Sequence, residues 1–292
     1  MKRRTAQTAA SRQLIPHPYG FAWSRTEITR LEGPEEDIGI AFSIHRLKAG
    51  MRWELPDRPS ADGALETACL LLAGEVIFAH PEEERTARRS SLFNEGPTAM
   101  HVGGGTPAAV EARTDCELAV MQTPNSRRFA ARIFDRESMV ENENRGRGLL
   151  DGTAQRIVRT IFDTRNRPDS NLVLGEVVNF PGRWSSYPPH HHPQPEIYHY
   201  RFTRPQGYGH AELGESVYRV RQFDTLLIRS GLDHPQTAAP GYGMYYIWAI
   251  RHLPGNPYVV PEFTEEHRWA NDPQADYWRP KSGENGAAAH EP

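Results

Sequence analysis

Cysteine is scarce in this sequence. Its 292 residues include only two cysteines, Cys69 and Cys116. Two thiols cannot build a disulfide framework or a four-thiolate zinc site. We expect both to be ordinary buried thiols, which indicates a reducing compartment and predicts a cytoplasmic protein.

Long apolar runs and a strong net charge are also absent. No window approaches the roughly 18 consecutive apolar residues that a membrane-spanning helix needs. Lys2, Arg3 and Arg4 open the chain, but the residues that follow to Gln13 are mostly polar, where a secretory signal requires an apolar run. The formal net charge of -3 gives no general attraction to nucleic acid or to anionic membranes, so we predict neither as a partner. Local arginines could still bind a small anion.

Turn-forming residues are abundant, with 24 glycines and 24 prolines. They separate short segments in which apolar and polar residues alternate with a period of two. Short strands at such spacing, with few helical windows, predict an all-β sandwich or barrel. The clearest of these segments are residues 39–44, 68–72 and 76–78 in the first half, and 172–180, 196–202, 225–228 and 244–250 in the second.

The two halves repeat one pattern. Arg52-Trp53 stands fourteen positions before a strand-like segment that begins at Glu66, and Arg183-Trp184 stands thirteen before a segment that begins at Glu196. This similarity predicts that one barrel unit has been duplicated. The resulting division is a first barrel without metal ligands over residues 20–126, a linker rich in charge and Asn over 127–158, a second, metal-binding barrel over 159–280, and disordered tails over 1–19 and 281–292.

A histidine cluster distinguishes the second copy from the first. His190, His191 and His192 precede Glu196, whereas the corresponding stretch of the first copy has no histidine. Residues i and i+2 of a strand lie on one face, so His190 and His192 can converge while His191 points away. Glu196 begins the next strand and adds an oxygen ligand. A polar, His-rich loop without a metal is the alternative interpretation.

His234 is the best candidate for a fourth ligand. It follows Gly231, which permits a turn that swings the histidine inward. Three imidazoles and one carboxylate suit Zn or Mn as first expectations, with Fe, Ni and Co as alternatives. Such a set leaves positions open for water or substrate, and this favours a catalytic site over a closed structural one.

These residues resemble the motifs of a known superfamily. His190-x-His192-x3-Glu196 followed by Gly231-x2-His234 is similar to the two motifs of the cupins, although Arg229 stands where cupins usually have Pro. A longer stretch resembles the 5-deoxy-glucuronate isomerase family of inositol catabolism, a family of uronate isomerases within the cupin superfamily. That resemblance runs from about residue 38 to 278, and its most specific part is Trp184-Ser185-Ser186-Tyr187-Pro188-Pro189-His190.

The resemblance implies a fold and an activity. The family consists of bicupins, which are two tandem double-stranded β-helix (jelly-roll) barrels, and the C-terminal barrel holds the metal. By resemblance the ligands are His190, His192, Glu196 and His234. The implied activity is a carbohydrate-metabolism isomerase that converts 5-deoxy-D-glucuronate into 2-deoxy-5-keto-D-gluconate. The stretch between His192 and Glu196 is shorter than in the family, which usually carries an acidic insertion at this mouth of the site.

An aldose-ketose isomerase moves a proton between adjacent carbons, so it needs an acid or base, a polarised oxygen and a group that holds the carboxylate. Strand alternation places Tyr198 and Tyr200 on the face of Glu196, so both are candidates for proton transfer or hydrogen-bond donation. Aromatic side chains that only fill the barrel are the alternative. The candidates for substrate binding are Arg183 and Arg229, which could pair with a carboxylate, and Tyr187, Gln206 and Tyr246 near the mouth.

Three other functions are alternatives to this one. The related 4-deoxy-5-hexosulose-uronate ketol-isomerase shares the fold and ligands, but its flanking residues match less well. An iron-dependent cupin dioxygenase would use the same ligands, and a non-catalytic sugar-binding cupin would use none of them for chemistry. A small anionic sugar is the expected partner. A homo-oligomer would suit strand faces on which Ile197 and His199 point outward, whereas His45, His80 and His101 are expected to be structural or exposed.

Overall fold

The computed structural model describes residues 13–55, 59–60, 63–229 and 231–279. Strands dominate this part of the chain, and every pairing between them is antiparallel. The helical segments described are short 3₁₀ turns, none of them long and apolar enough to cross a membrane. They are Glu36–Ile38, Leu150–Gly152 and Glu265–Asn271.

The first half forms one folded-over sheet around the long strand β6. The first part of β6 pairs with β8 and β10, and its last part pairs with β7 and β9, so this one strand belongs to both walls of the barrel. The strands, preceded by β1 (Leu14–Ile15), are β2 (Ser24–Glu27), β3 (Ala41–Leu47), β4 (Arg52–Glu54), β5 (Pro59–Ser60), β6 (Gly63–His80), β7 (Glu83–Arg89), β8 (Ala99–Val102), β9 (Ala109–Ala112), β10 (Cys116–Pro124) and β11 (Arg132–Phe134).

The second half forms a seven-stranded sheet in the order β1-β20-β17-β22-β14-β13-β12, faced by a four-stranded sheet in the order β15-β21-β18-β19. A separate pair, β16 and β23, lies at the histidine cluster. The strands are β12 (Glu143–Arg145), β13 (Arg156–Phe162), β14 (Leu172–Asn179), β15 (Trp184–Ser185), β16 (His190–His191), β17 (Glu196–Phe202), β18 (Tyr208–Leu213), β19 (Ser216–Arg221), β20 (Thr225–Ile228), β21 (Gln236–Ala238), β22 (Met244–Arg251) and β23 (Glu262–Phe263). Two tandem jelly-roll barrels result, which confirms the predicted fold class.

Three apolar cores explain why several strands are buried on both faces. One core fills the first barrel, one fills the second, and the third lies between the barrels and draws side chains from both. Strand β22 shows the division clearly: Tyr246 enters the core of the second barrel, and the next residue, Ile247, enters the core between the barrels. The barrels therefore share a wall of two packed sheets.

This shared wall corrects the expectation for Ile197 and His199. Alternation does turn them away from Glu196, but that face meets the first barrel and not solvent. Both side chains are fully buried, and the His199 ring lies 5.1 Å from Phe42 and 5.7 Å from Phe21, centroid to centroid. Neither residue can contact a second copy of the chain. A homo-oligomer remains a prediction, but Ile197 and His199 are not part of its interface. His45, His80 and His101 are buried and not exposed.

A buried ionic cluster also joins the barrels. Glu176 of the second barrel accepts hydrogen bonds from Arg89 of the first at 2.7 Å and 3.0 Å, and from Arg159 at 2.7 Å. Tyr245 Oη donates to the same carboxylate at 2.8 Å. Every one of these side chains is nearly or fully buried.

The expected tails and linker differ in how much of them the structure describes. Residues 1–12 and 280–292 lie outside the described residues. Within the expected N-terminal tail, however, Leu14 and Ile15 form β1 and pair with β20 of the second barrel. The expected linker, 127–158, contains β11, which pairs with β8 of the first barrel, and β12, which pairs with β13 of the second.

Candidate metal centre and active site

Two loops of the second barrel bring the predicted ligands together. The first loop runs from β16 through His192 to Glu196, the first residue of β17. The second connects β20 to β21 and carries His234. Gly231 has a φ of +60°, the left-handed conformation that the sequence required of it. Its backbone N–H donates to the His192 carbonyl at 2.9 Å, so the turn ties one ligand loop to the other.

His192, Glu196 and His234 converge on one point. One ligand atom from each lies within 4.8 Å of the others, and all three residues are buried. Glu196 Oε2 is 3.2 Å from His192 Nε2 and 3.5 Å from His234 Nε2. His190 stands beside this trio, with its ring centroid 4.9 Å from that of His234. Within the described residues, no other group of His, Cys, Asp or Glu converges in this way.

Backbone carbonyls fix the orientation of all three imidazoles. The Nδ1 atoms of His190, His192 and His234 lie 3.0, 2.9 and 2.8 Å from the carbonyl oxygens of Pro188, Gln194 and Leu232, respectively. A carbonyl can only accept, so each Nδ1 carries a proton, and in the neutral ring Nε2 then presents a lone pair. This arrangement is how proteins usually orient metal-binding histidines.

The charge state of these side chains also suits a cation. Burial, assisted by the neighbouring His234, holds the pKa of His190 well below its usual value. Burial likewise lowers the pKa of His234, against an opposing effect of Glu196. Both imidazoles are therefore neutral near pH 7, the form that binds metals. His234 Nε2 is buried without a hydrogen-bond partner, and a bound cation would satisfy it. The donor set thus fits a divalent metal ion.

A cavity of about 400 Å³ opens onto the trio. Tyr198 and Tyr246 line it with their ring centroids 4.8 Å apart. Tyr198 Oη lies 3.1 Å from Ser186 Oγ, and Tyr246 Oη lies 2.5 Å from Ser185 Oγ. Burial, reinforced by Glu196, raises the pKa of Tyr198 well above its usual value, so its hydroxyl stays protonated and can donate. The cavity therefore combines a metal-type cluster with hydroxyl donors.

The other predicted site residues do not line this cavity. Tyr200 is fully buried, and its hydroxyl donates to Gln236 Oε1 at 2.7 Å inside the barrel. Tyr187 lines a separate cavity beside Trp184.

The two predicted carboxylate-binding arginines and Gln206 also lie elsewhere. Arg183 donates to the Asp151 carbonyl at 3.1 Å, and Gln206 is exposed on a turn. Arg229 reaches toward the first barrel, where it pairs with Asp37 at 2.6 Å. Their positions in the sequence, close to the motifs, did not show that these side chains point away from the barrel mouth.

Several cavity residues were not identified from the sequence. Arg156, Val158 and Thr160 line the cavity from alternate positions of β13. Alternation over Arg156–Phe162 could have revealed them, but the first three residues of this strand were assigned to the linker. Tyr258 and its neighbours reach the cavity from a segment without regular structure, which no periodicity could have indicated.

Two tandem jelly-roll barrels, with a buried His-Glu-His cluster in the second, define a bicupin with a metal-type site. The sequence matches the KduI/IolB family over residues 25–270, and the chain belongs to that family. It is therefore an enzyme of the isomerase class, an intramolecular oxidoreductase, as the sequence predicted.

Individual relatives agree with this assignment. The chain is 29% identical over 257 residues to a protein of Geobacillus kaustophilus named 5-deoxy-glucuronate isomerase, which covers 77% of this chain and 88% of the relative. A protein of the same name from Geobacillus thermodenitrificans is 29% identical over 251 residues, 76% of this chain and 86% of the relative.

Solved structures show the same fold. An IolB-like protein from Salmonella typhimurium superposes with a TM-score of 0.75 at 22% identity, covering 90% of this chain and all of the other. Lactobacillus farciminis oxalate decarboxylase superposes with a TM-score of 0.61 at 12% identity, over 88% and 89% of the two chains.

Proposed function

We propose that this protein is a metal-dependent aldose-ketose isomerase of inositol catabolism that converts 5-deoxy-D-glucuronate into 2-deoxy-5-keto-D-gluconate. The observation that carries the proposal is the buried cluster of His192, Glu196 and His234, whose metal-binding atoms face one cavity. The names of the relatives support the choice of substrate. The two cysteines are buried free thiols, which supports a cytoplasmic location.

The reaction transfers a proton from C2 to C1 of the sugar, converting the aldehyde into an alcohol and the C2 alcohol into a ketone. A divalent ion, Zn or Mn in our proposal, would be held by His190, His192, Glu196 and His234 and would polarise the sugar oxygens. Tyr198 would donate a hydrogen bond to the sugar oxygen on which negative charge develops while the proton moves from C2 to C1. The hydroxyls of Tyr246 and Ser185 form a hydrogen bond with each other beside Tyr198, so this side of the cavity presents polar groups in fixed positions to the substrate.

An assay with two substrates tests this function. Purified metal-loaded protein is incubated separately with 5-deoxy-glucuronate and with 4-deoxy-5-hexosulose-uronate, and the products are identified by NMR while dissolved oxygen is followed. We expect the ketose from the first compound, faster than any change in the second, with no oxygen consumed. Turnover of only the second compound would assign the related ketol-isomerase activity. Oxygen uptake with iron, and no ketose, would contradict the proposal in favour of a dioxygenase.

A further inference from the structure

Arg156 is a buried cation on the wall of the active-site cavity. It is the first residue of β13, it lines the cavity, and only 7% of its surface is exposed. Strand alternation places Val158 and Thr160 on the same wall. The side chain also lies beside the ligand loop, because its Nη2 donates to the Tyr187 carbonyl at 3.1 Å, three residues before His190.

No carboxylate forms an ion pair with this cation in the part of the chain that the structure describes. Among the described residues, no Asp or Glu oxygen lies within 4 Å of the Arg156 guanidinium, and Glu143 acts on it only from a longer distance. Its Nη1 donates a second hydrogen bond, to the Ala154 carbonyl at 2.8 Å. These two carbonyls use two of the five N–H donors that a guanidinium offers. Burial lowers the pKa of Arg156 to about 10, so the group is still charged at neutral pH.

Two other arginines line the cavity, and they differ from Arg156 in this respect. Arg145 pairs with Glu143 through two contacts of 2.9 Å, and Arg165 pairs with Asp163 at 2.6 Å. Both are about half exposed, so water and a carboxylate already compensate their charges. A buried charge without a counter-ion is costly, and an anionic ligand in the cavity would remove that cost for Arg156.

We propose that Arg156 binds the carboxylate of the substrate and so makes the cavity select sugar acids over neutral sugars. The proposal rests on the proposed function for the identity of the substrate, but it concerns the binding of any sugar acid. A planar guanidinium with free N–H donors can hold a carboxylate through two parallel hydrogen bonds. Arg156 thereby replaces Arg183 and Arg229, which lie outside the cavity, in the role that the sequence suggested for them.

Binding of an unreactive pair of sugars tests the proposal. The probes are D-glucuronate and D-glucose, which differ in the carboxylate, and binding to the metal-loaded protein is measured by calorimetry. We expect the wild type to prefer glucuronate and Arg156→Gln to bind it at least tenfold more weakly, with little change for glucose. Arg183→Gln is the matched control, since it removes an arginine outside the cavity, and its affinity for glucuronate should stay within twofold of the wild type.

Arg156→Lys distinguishes a loss of carboxylate binding from a loss of structure. Lysine keeps the charge but cannot form the two parallel hydrogen bonds, so we expect glucuronate to bind three- to tenfold more weakly while the metal content stays at the wild-type value. If Arg156→Gln fails to fold or loses metal, the affinity of Arg156→Lys for glucuronate is the test. An affinity equal to that of the wild type would overturn the proposal. Equal affinity of Arg156→Gln and the wild type for glucuronate would overturn it as well.

The two proposals fail in different ways. If no uronate yields a ketose but Arg156→Gln still loses glucuronate, the proposed function is wrong and the role of Arg156 stands. If ketose forms and Arg156→Gln retains the wild-type KM for the uronate, the role of Arg156 is wrong and the function stands.

Discussion

Two backbone carbonyls and the turn at Gly231 fix the orientation of His192 and His234. Their Nδ1 atoms are engaged, so each has a single nitrogen left to present to the cavity. Nothing else in the described surroundings satisfies His234 Nε2. The precise placement of these atoms comes from loops whose hydrogen bonds do not depend on a cation, so the site is preformed.

Replacing either histidine by Ala should therefore remove the metal without unfolding the protein. We expect His192→Ala and His234→Ala to lose most bound metal and at least about 10³-fold in kcat/KM, while circular dichroism stays that of a β protein. His191→Ala is the control, because this neighbouring side chain is one-third exposed and pairs with Asp233 instead of facing the cluster. Metal content is measured by elemental analysis. Collapse of both barrels in the two variants would contradict a preformed site.

His45 should make stability depend on pH. It is buried against the Trp53 ring, and burial, with a contribution from Arg25, lowers its pKa to about 4. Below pH 6.5 the His45 imidazole is protonated in the unfolded chain, whereas in the folded protein it becomes protonated only near pH 4. This contribution to stability is thus present above pH 6.5 and is lost as the pH falls toward 4, by up to about 3 kcal/mol.

Urea unfolding at pH 7 and pH 5 measures this effect. Between pH 7 and pH 5 the free energy of unfolding of the wild type should fall by about 2 kcal/mol more than that of His45→Gln, since the variant has no group to protonate at this position. Equal losses in the two proteins would show that His45 is not protected from protonation in the folded state.

Strand β17 shows how far alternation predicts function. Tyr198 and Tyr200 share a face, as expected from the sequence, and both enter the core of the second barrel. Only Tyr198 reaches the cavity, because Tyr200 lies one step deeper and donates to Gln236. Period-two alternation assigns a side chain to a face of the sheet, but not to a depth within the barrel.

The two tyrosines should therefore respond differently to loss of the hydroxyl. We expect Tyr198→Phe to lower kcat about 10²-fold, as the loss of a hydrogen-bond donor to the reacting oxygens. Tyr200→Phe should keep kcat but lower the free energy of unfolding by about 1–3 kcal/mol, since the Gln236 carbonyl loses its buried donor. Steady-state kinetics and urea unfolding on both variants make the comparison. A loss of kcat confined to Tyr200→Phe would reverse our assignment.

The fold class and the members of the buried His-Glu-His cluster were predictable because their signals are local in the sequence. Spacing fixes which residues share a strand face or a turn, and this was enough to select His192, Glu196 and His234, which the structure brings together. The shared wall between the barrels was not predictable, since which outer face meets the other barrel depends on packing far along the chain. That is why the sequence predicts His199 at a surface, whereas the structure buries it between the barrels.

The cluster around Glu176 should hold the two barrels together. Removing its charge would leave Arg89 and Arg159 buried without a full counter-ion, so we expect Glu176→Gln to lower the free energy of unfolding by about 3–5 kcal/mol. Glu54→Gln breaks an exposed pair with Arg52 and should leave the free energy of unfolding nearly unchanged, because water screens that pair. Urea unfolding measures both. Similar small effects in the two variants would mean that the apolar core alone joins the barrels.

Our proposal requires a divalent ion, bound in the second barrel, for the isomerisation. It is tested most directly by titrating chelated, metal-free protein with Zn or Mn while the bound metal and the rate of ketose formation from 5-deoxy-glucuronate are measured on the same sample. We predict that activity is absent without metal, rises in proportion to it, and saturates at one ion per chain. Full activity in the metal-free protein would contradict the account.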